Sequence, residues 1–437
     1  MTEGERAERV LEGLVEWARA ACCLPDGTGE WGGSVDAGGL AGRVERHARR
    51  VLAAGGSPVE ALDSALVLLL HAGEGAADRT DPGDDPLGVR PVARRMRAFP
   101  ERIAGDAPVR PGPLRNRSGN LQLMTTRVCQ LRCSYCPVVK GGSQMPAEVM
   151  SAAADLLLTT DRDRVRLDFS GGEPLLRYDE VARTAERLLE GTARSGKRAS
   201  FYMVTNGFLL DARRARTLAD LGFRVELSLD GPRHVHNRCK LPVDRSEDPY
   251  RRTVAALEAS LAAGLPHTVV MVVTPETVDG MRESFEHAID RGARSVDVNY
   301  AVGRYWDVAP LEAYLSGLVS IIEDYRDELS ARRIELGNVG SRVEPAVLNA
   351  EWMVDTDGTV HPMTEWALES SRPAGAADLG RGHVGSLGGW DDLYAGRFHA
   401  YESLLRTYSW RDGSLRRVLY NNVCAGRTVS RRLAESR

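Results

Sequence analysis

Apolar residues recur at helical intervals in the first part of this chain and in short alternating runs after it. Val10, Leu11, Leu14, Val15, Trp17 and Ala18 predict an amphipathic helix over 5–21. A second, more polar helix is expected over 38–54. Pro58 opens a third, backed by Ala61, Leu62, Ala65, Leu66 and Leu69. The stretches 71–86 and 108–119 are rich in Gly, Asp, Ala, Pro and Arg and read as linkers or exposed loops. Beyond them, strands are predicted over 121–125, 164–169, 199–204, 224–229, 267–273 and 295–300. Helices over 178–192, 213–221, 251–263 and 278–291 lie between them, the alternation of a parallel sheet with crossover helices. It weakens from residue 344, where 352–354 and 359–361 read as a hairpin around Asp357-Gly358. The pattern predicts an α/β protein: an N-terminal helical domain over 1–115, a parallel β/α repeat of at least six units over 116–340, and a less regular α+β region over 341–437.

Composition narrows the class. With 437 residues, 43% hydrophobic and 27% charged, the chain has the make-up of a soluble globular protein of two or three domains. No apolar run approaches the roughly 18 residues of a membrane span. The opening MTEGERAERV lacks an apolar signal core, so a cytoplasmic location is expected. A net charge of -4 argues against nucleic acid as a partner. Seven cysteines in a chain of this length do not form a secreted disulfide scaffold. Cys22 and Cys23 read as buried small residues on a helix.

Three cysteines, however, fall within eight residues: Cys129, Cys133 and Cys136, in the spacing CxxxCxxC directly after a strand. Structural zinc wants four ligands, and no further His or Cys stands at finger spacing. A [4Fe–4S] cube held by three thiolates keeps one iron open, which is useful where a substrate or cofactor must bind. The alternative is three ordinary core cysteines; Gln130 and Arg132 between them argue against it.

This spacing, with Tyr135 before the last cysteine at the end of the first strand, resembles the radical S-adenosylmethionine (SAM) superfamily. Three further motifs stand at predicted strand ends, the rim where β/α barrels form their sites. Gly171-Gly172-Glu173-Pro174 is similar to the family's GGEP turn, Thr205-Asn206 follows the third strand, and Ser228-Leu229-Asp230-Gly231-Pro232 resembles its SxDGP turn. The resemblance implies a partial (β/α)6 TIM-like barrel over 116–340, one [4Fe–4S] cluster on Cys129, Cys133 and Cys136, and SAM as the second cofactor. It implies that Gly171, Gly172, Glu173 and Pro174 hold the SAM amino group, that Ser228 and Asp230 approach its ribose, and that Tyr135 packs near the adenine. Independently, a Gly-Gly turn lets backbone carbonyls and amides approach a ligand closely, and a glutamate accepts from an ammonium. His236 to Lys240 resembles a stretch HDxxR of the peptide-modifying and sulfatase-maturing branch, with Lys240 in place of the arginine that would reach the SAM carboxylate. A lysine offers a point charge there rather than a planar fork.

The segment from Met353 to Met363, and later Gly385 to Tyr394, resemble the SPASM region of that branch. Met363 stands where a cluster cysteine is expected, and Cys424 is the only cysteine after Cys239, so no auxiliary cluster is expected. The helical pattern of the N-terminal part argues against a cobalamin domain. The implied activity is reductive cleavage of SAM to a 5′-deoxyadenosyl radical, with electrons from a flavodoxin- or ferredoxin-type donor, and abstraction of a hydrogen atom from substrate. That substrate is expected to be a ribosomal precursor peptide in natural-product biosynthesis. A sugar or aminoglycoside-type metabolite, and a non-catalytic iron–sulfur or zinc protein, stay open as alternatives. Asn299, Tyr300, Arg304, Tyr305, His361 and Glu365 are candidates for substrate selection. Cys239 and Cys424 are candidate hydrogen donors in an outcome without net oxidation.

Overall fold

The computed structural model of the protein describes residues 119–340, 352–362 and 382–390, with a few positions between 42 and 53. Those few are helical. The rest of the N-terminal helices, Cys22, Cys23, Met363, Glu365 and Cys424 lie outside the described residues.

All six strands expected from the alternation form. They are β1 (Asn120–Thr126), β3 (Arg164–Gly171), β4 (Arg198–Thr205), β5 (Phe223–Ser228), β7 (His267–Val273) and β8 (Ser295–Tyr300). They stand in that order, all parallel. β9 (Glu335–Leu336) extends one edge, and β10 (Trp352–Val354) and β11 (Val360–Pro362) the other. The expected hairpin is therefore not freestanding: β10 adds to β1 in parallel, pairing Leu121 with Trp352 and Leu123 with Val354. Two short strands stay outside the sheet, β2 (Leu131–Cys133) and β6 (Lys240–Pro242), paired antiparallel.

Crossover helices follow the strands: α1 (Ala147–Leu158), α2 (Tyr178–Ser195), α3 (Ala212–Asp220), α4 (Arg233–Cys239), α5 (Pro249–Ala263), α6 (Met281–Asp290) and α7 (Val308–Asp324). Local chemistry sets their ends. Asp211 caps α3 by accepting from the Arg214 amide at 2.8 Å, a contact worth about 1 kcal/mol. Gly196 and Gly264 end α2 and α5 in the left-handed conformation.

The strands present two different faces. Val165, Leu167 and Phe169 of β3, Phe201 and Met203 of β4, and Phe223, Val225 and Leu227 of β5 are fully buried in one core with the helices. Phe201 and Phe223 stack there with centroids 5.0 Å apart, each ring stabilising the fold by about 2–3 kcal/mol on burial. Alternate positions point the other way, and many are polar: Arg166, Asp168, Tyr202, Arg224, Glu226 and Asp297, with Val204, Val270 and Val272 on the same face. Val384 and Trp390 are buried in the helix-side core, and the Trp390 amide donates to Thr159 Oγ1 at 2.8 Å. Among the described residues, no helix is long and apolar enough to cross a membrane.

Candidate cluster and cofactor site

The cysteine loop leaves the C-terminal end of β1. Its base is closed by two backbone hydrogen bonds, Arg127 N to Ser143 O at 2.9 Å and Gly141 N to Arg127 O at 3.2 Å. Cys129 is buried, while Cys133 and Cys136 are half-buried. The β2–β6 pair sets Cys133 opposite Lys240, and Ser134 N donates to Cys239 O at 2.9 Å. Among the described residues no three His, Cys, Asp or Glu side chains converge on a single-ion site. One zinc would draw its sulfurs to within ~3.8 Å of one another, whereas a cubane takes each thiolate on a separate iron. Burial pushes the Cys133 thiol up to about 12, against the opposing pull of Lys240. Burial also raises Cys129, with Lys140 opposing. Bare thiols here are protonated, so loading a metal releases protons.

The turn after β3 presses directly on this loop. Gly172 N donates to Thr126 O at 2.6 Å and Glu173 N to Val128 O at 2.9 Å. A side chain at Gly172 would put its Cβ 2.0 Å from Val128 O, and one at Gly171, where φ is +123°, would come 2.4 Å from Thr126 O. The expected close approach to a ligand is corrected here: what leaves no room for a Cβ at either glycine is the backbone of the protein's own cysteine loop. Pro174 starts a short 3-10 turn, with Glu173 at its cap. The Glu173 carboxylate is 0% exposed and accepts from Thr205 Oγ1 at 2.7 Å, Asn206 N at 2.9 Å and Leu175 N at 3.0 Å. Burial raises its carboxyl, with these donors opposing.

Asn206 ties this turn back to the thiols. Its Nδ2 donates to Cys129 Sγ at 3.6 Å and lies 3.4 Å from Gln130 Oε1. The Leu131 amide donates to the same sulfur at 3.4 Å. Thr253 Oγ1 holds the Asn206 carbonyl at 2.8 Å.

Asp230 is a second junction. One carboxylate oxygen accepts from Tyr135 Oη at 2.7 Å and meets Lys240 Nζ at 3.5 Å. The other accepts from the Val272 amide at 3.1 Å. Lys240 Nζ sits 5.3 Å from the centre of the Tyr135 ring, a cation–π contact. The Asp230 amide donates to His236 Nδ1 at 3.2 Å. Burial, helped by Lys240, holds that imidazole well below its ordinary range, so it is neutral.

The structure therefore brings Tyr135, Gly171, Gly172, Glu173, Thr205, Asn206, Asp230 and Lys240 around the cysteine loop, with Ser228 half-buried at the end of β5. Cys239 is buried at the end of α4, beside the loop. The rim candidates scatter. Asn299 and Tyr305 are exposed, Arg304 pairs with Glu276 at 2.7 Å, and His361 stands opposite Met353. Tyr300 packs edge-on against Trp306 and Tyr314, 6.2 Å from each. Sequence reasoning missed three supports: His236 as an acceptor, Thr253, and Arg127. The Arg127 guanidinium donates to both oxygens of Asp355 in the hairpin, at 2.6 and 3.3 Å. Only the spacing of His236 from Asp230 was a usable signal.

Residues 123–288 match the radical SAM superfamily. They form a radical SAM domain. A GTP 3′,8-cyclase of Mycobacterium ulcerans (strain Agy99) is 35% identical over 202 residues, 44% of this chain and 52% of that protein. One from Mycobacterium sp. (strain KMS) is 29% identical over 266 residues, 56% of this chain and 71% of that protein. The chain thus spans about half the length of the first of these curated relatives. Among solved structures, anSMEcpe with bound AdoMet and a Cp18Cys peptide aligns with a TM-score of 0.55 and 19% identity, over 68% of this chain and 87% of that one. It shares the fold, a partial barrel in which the polar strand face is the lumen.

The radical SAM domain's residues fit a [4Fe–4S] cluster. Cys129, Cys133 and Cys136 would be its three ligands, N–H donors already face Cys129 Sγ, and Lys140 and Lys240 lie close enough to favour thiolates.

Proposed function

We propose that this protein is a radical SAM enzyme that cleaves SAM reductively and abstracts a hydrogen atom from a peptide. The observation that carries the reading is the closure of the Gly171-Gly172-Glu173 turn onto the CxxxCxxC loop. Cys129, Cys133 and Cys136 would hold a [4Fe–4S] cluster, which would supply the single electron for reductive cleavage of SAM. Glu173 accepts three hydrogen bonds, out of about four that a carboxylate can take. With its side chain 0% exposed, Glu173 would set the shape and charge of the turn that receives the SAM ammonium, and would meet that ammonium directly only by giving up one of these donors. Lys240 sets a fixed positive charge beside the loop, suited to the SAM carboxylate, and Asp230 orients it. Tyr135 covers the same point and excludes water. The electron comes from a flavodoxin- or ferredoxin-type protein. In an outcome without net oxidation, hydrogen returns to the substrate from 5′-deoxyadenosine, or from the Cys239 thiol, in which case the thiyl radical left behind takes one further electron from the same donor protein and a proton from solvent.

The peptide is supported by the fold shared with anSMEcpe, which binds one. The names of the curated relatives favour a second reading, cyclisation of a purine nucleotide. Anaerobic reconstitution separates these. About four irons per chain and dithionite-dependent release of 5′-deoxyadenosine, lost in Cys133→Ala, are expected. Undiminished release by Cys133→Ala would overturn the enzyme reading. Conversion of added GTP to a new product would replace the peptide with the nucleotide.

A further inference from the structure

We propose that the lumen of the partial barrel binds a protonated nitrogen of the substrate, an amine or guanidinium, against Glu226. This deepens the radical-enzyme reading for the same cavity and rests on it for the use made of the bound group.

Val225 and Leu227 are buried in the helix-side core, so Glu226 between them faces the lumen. Four charged side chains surround it there: Arg166 and Asp168 from β3, Arg224 from β5 and Asp297 from β8. Most of them are occupied. Arg166 Nη2 pairs with Asp168 Oδ2 at 2.6 Å and lies over the Tyr202 ring at 4.9 Å. Arg224 Nη1 donates to Thr268 Oγ1 at 3.2 Å, and Asp297 accepts from the Gly337 amide. Glu226 has neither a hydrogen bond nor an ion pair among the described residues.

Among the described residues facing this point, three carboxyl groups stand with two guanidinium groups, and Glu226 is the carboxylate that has no hydrogen bond or ion pair there. Burial, followed by the repulsion of Asp168 and Asp297, pushes the Glu226 carboxyl up to about 7. The bare protein relieves the imbalance by taking up a proton; a bound cation would relieve it without one.

There is also room. Val204, directly beside Glu226 on β4, is 36% exposed in the middle of the sheet. The rim is marked by Ser228, two residues further along β5, so Glu226 lies about 7 Å below it. That depth suits an extended lysine- or arginine-like chain, and an amino group on a compact ring reaches it where the ring itself enters. A triphosphate is repelled by the same charge.

The test uses cluster-loaded protein at pH 8 and follows melting temperature against added agmatine, a diaminocyclitol and the uncharged N-butylurea. Agmatine or the cyclitol should raise the melting temperature saturably, N-butylurea should not, and Glu226→Gln should weaken the effect about tenfold or more. With wild-type protein alone, binding should weaken as pH falls from 8 to 5.5 and Glu226 takes up its proton. A stronger response to agmatine assigns the group to a peptide side chain, and a stronger response to the cyclitol to an amino sugar. No saturable shift with either cation, equal shifts with N-butylurea, or unchanged binding by Glu226→Gln or at low pH would overturn the proposal. Release of 5′-deoxyadenosine in the same samples reports separately on the enzyme reading.

Discussion

Lys240 meets Asp230 at 3.5 Å with both side chains only 3% exposed. Burial alone would pull the Lys240 ammonium down, but Asp230, with the nearby thiols, outweighs it and holds the ammonium above its ordinary value. The pair lies behind the cysteine loop, since Lys240 is the register partner of Cys133 and Asp230 carries Tyr135. One buried charge therefore depends on the other, and the loop's shape depends on both.

Breaking that pair from one side should be severe. Asp230→Asn leaves a buried ammonium without a counter-charge and should destabilise the apoprotein by about 3–5 kcal/mol in urea unfolding. Combining it with Lys240→Met should recover much of the loss, because no buried charge then stays unpaired. Strictly additive effects in the double variant would show that the two residues do not act as a pair.

Gly172→Ala should separate the turn from the cysteine loop. The added Cβ meets Val128 O at 2.0 Å, and backbone there cannot yield without losing the Glu173 N to Val128 O hydrogen bond. Iron content after anaerobic reconstitution is expected to fall well below that of the parent. Gly142→Ala, with nothing within 4 Å of its added Cβ, should load iron normally.

Glu173→Gln keeps the shape but puts an amide NH2 among N–H and O–H donors. Since three protein groups donate to this carboxylate, a loss of about 1–3 kcal/mol of stability is expected. SAM affinity, measured by equilibrium dialysis on the cluster-loaded variant, should fall about tenfold. Unaltered affinity would mean that the carboxylate serves the turn alone.

Glu226 should make stability depend on pH in the neutral range. Its carboxyl is raised to about 7 in the fold and returns to ~4.3 when unfolded. Between those values the folded state holds more protons than the unfolded one, so this group's contribution falls as pH rises. By pH 8 the penalty amounts to about 3 kcal/mol, which Glu226→Gln removes. The variant's gain in melting temperature over the parent should therefore be larger at pH 8 than at pH 5. A gain that is equal at both would contradict the raised carboxyl.

The six parallel strands, the hairpin and the cysteine loop were legible because each is written within a few consecutive residues. Period-two alternation marks a strand such as 223–228 whatever it pairs with, and CxxxCxxC is complete in eight positions. The glycines at 171 and 172 announced a close approach, though what they approach was a matter of packing. The backbone of the cysteine loop lies there, placed by the register of β1 on β3.

Long-range partnership is what only the tertiary structure decided. Asp230 and Tyr135 are 95 residues apart in the chain, and Arg127 and Asp355 are 228 apart. No local pattern says which carboxylate will face which cation, because that follows from strand order and register. Glu226 shows this most plainly. In the sequence it is one polar residue alternating with Val225 and Leu227, as on any half-buried strand. Curving the sheet brings β3 and β8 towards it, and only then does its carboxylate feel both Asp168 and Asp297 while Arg166 and Arg224 are the guanidinium groups opposing them among the described residues.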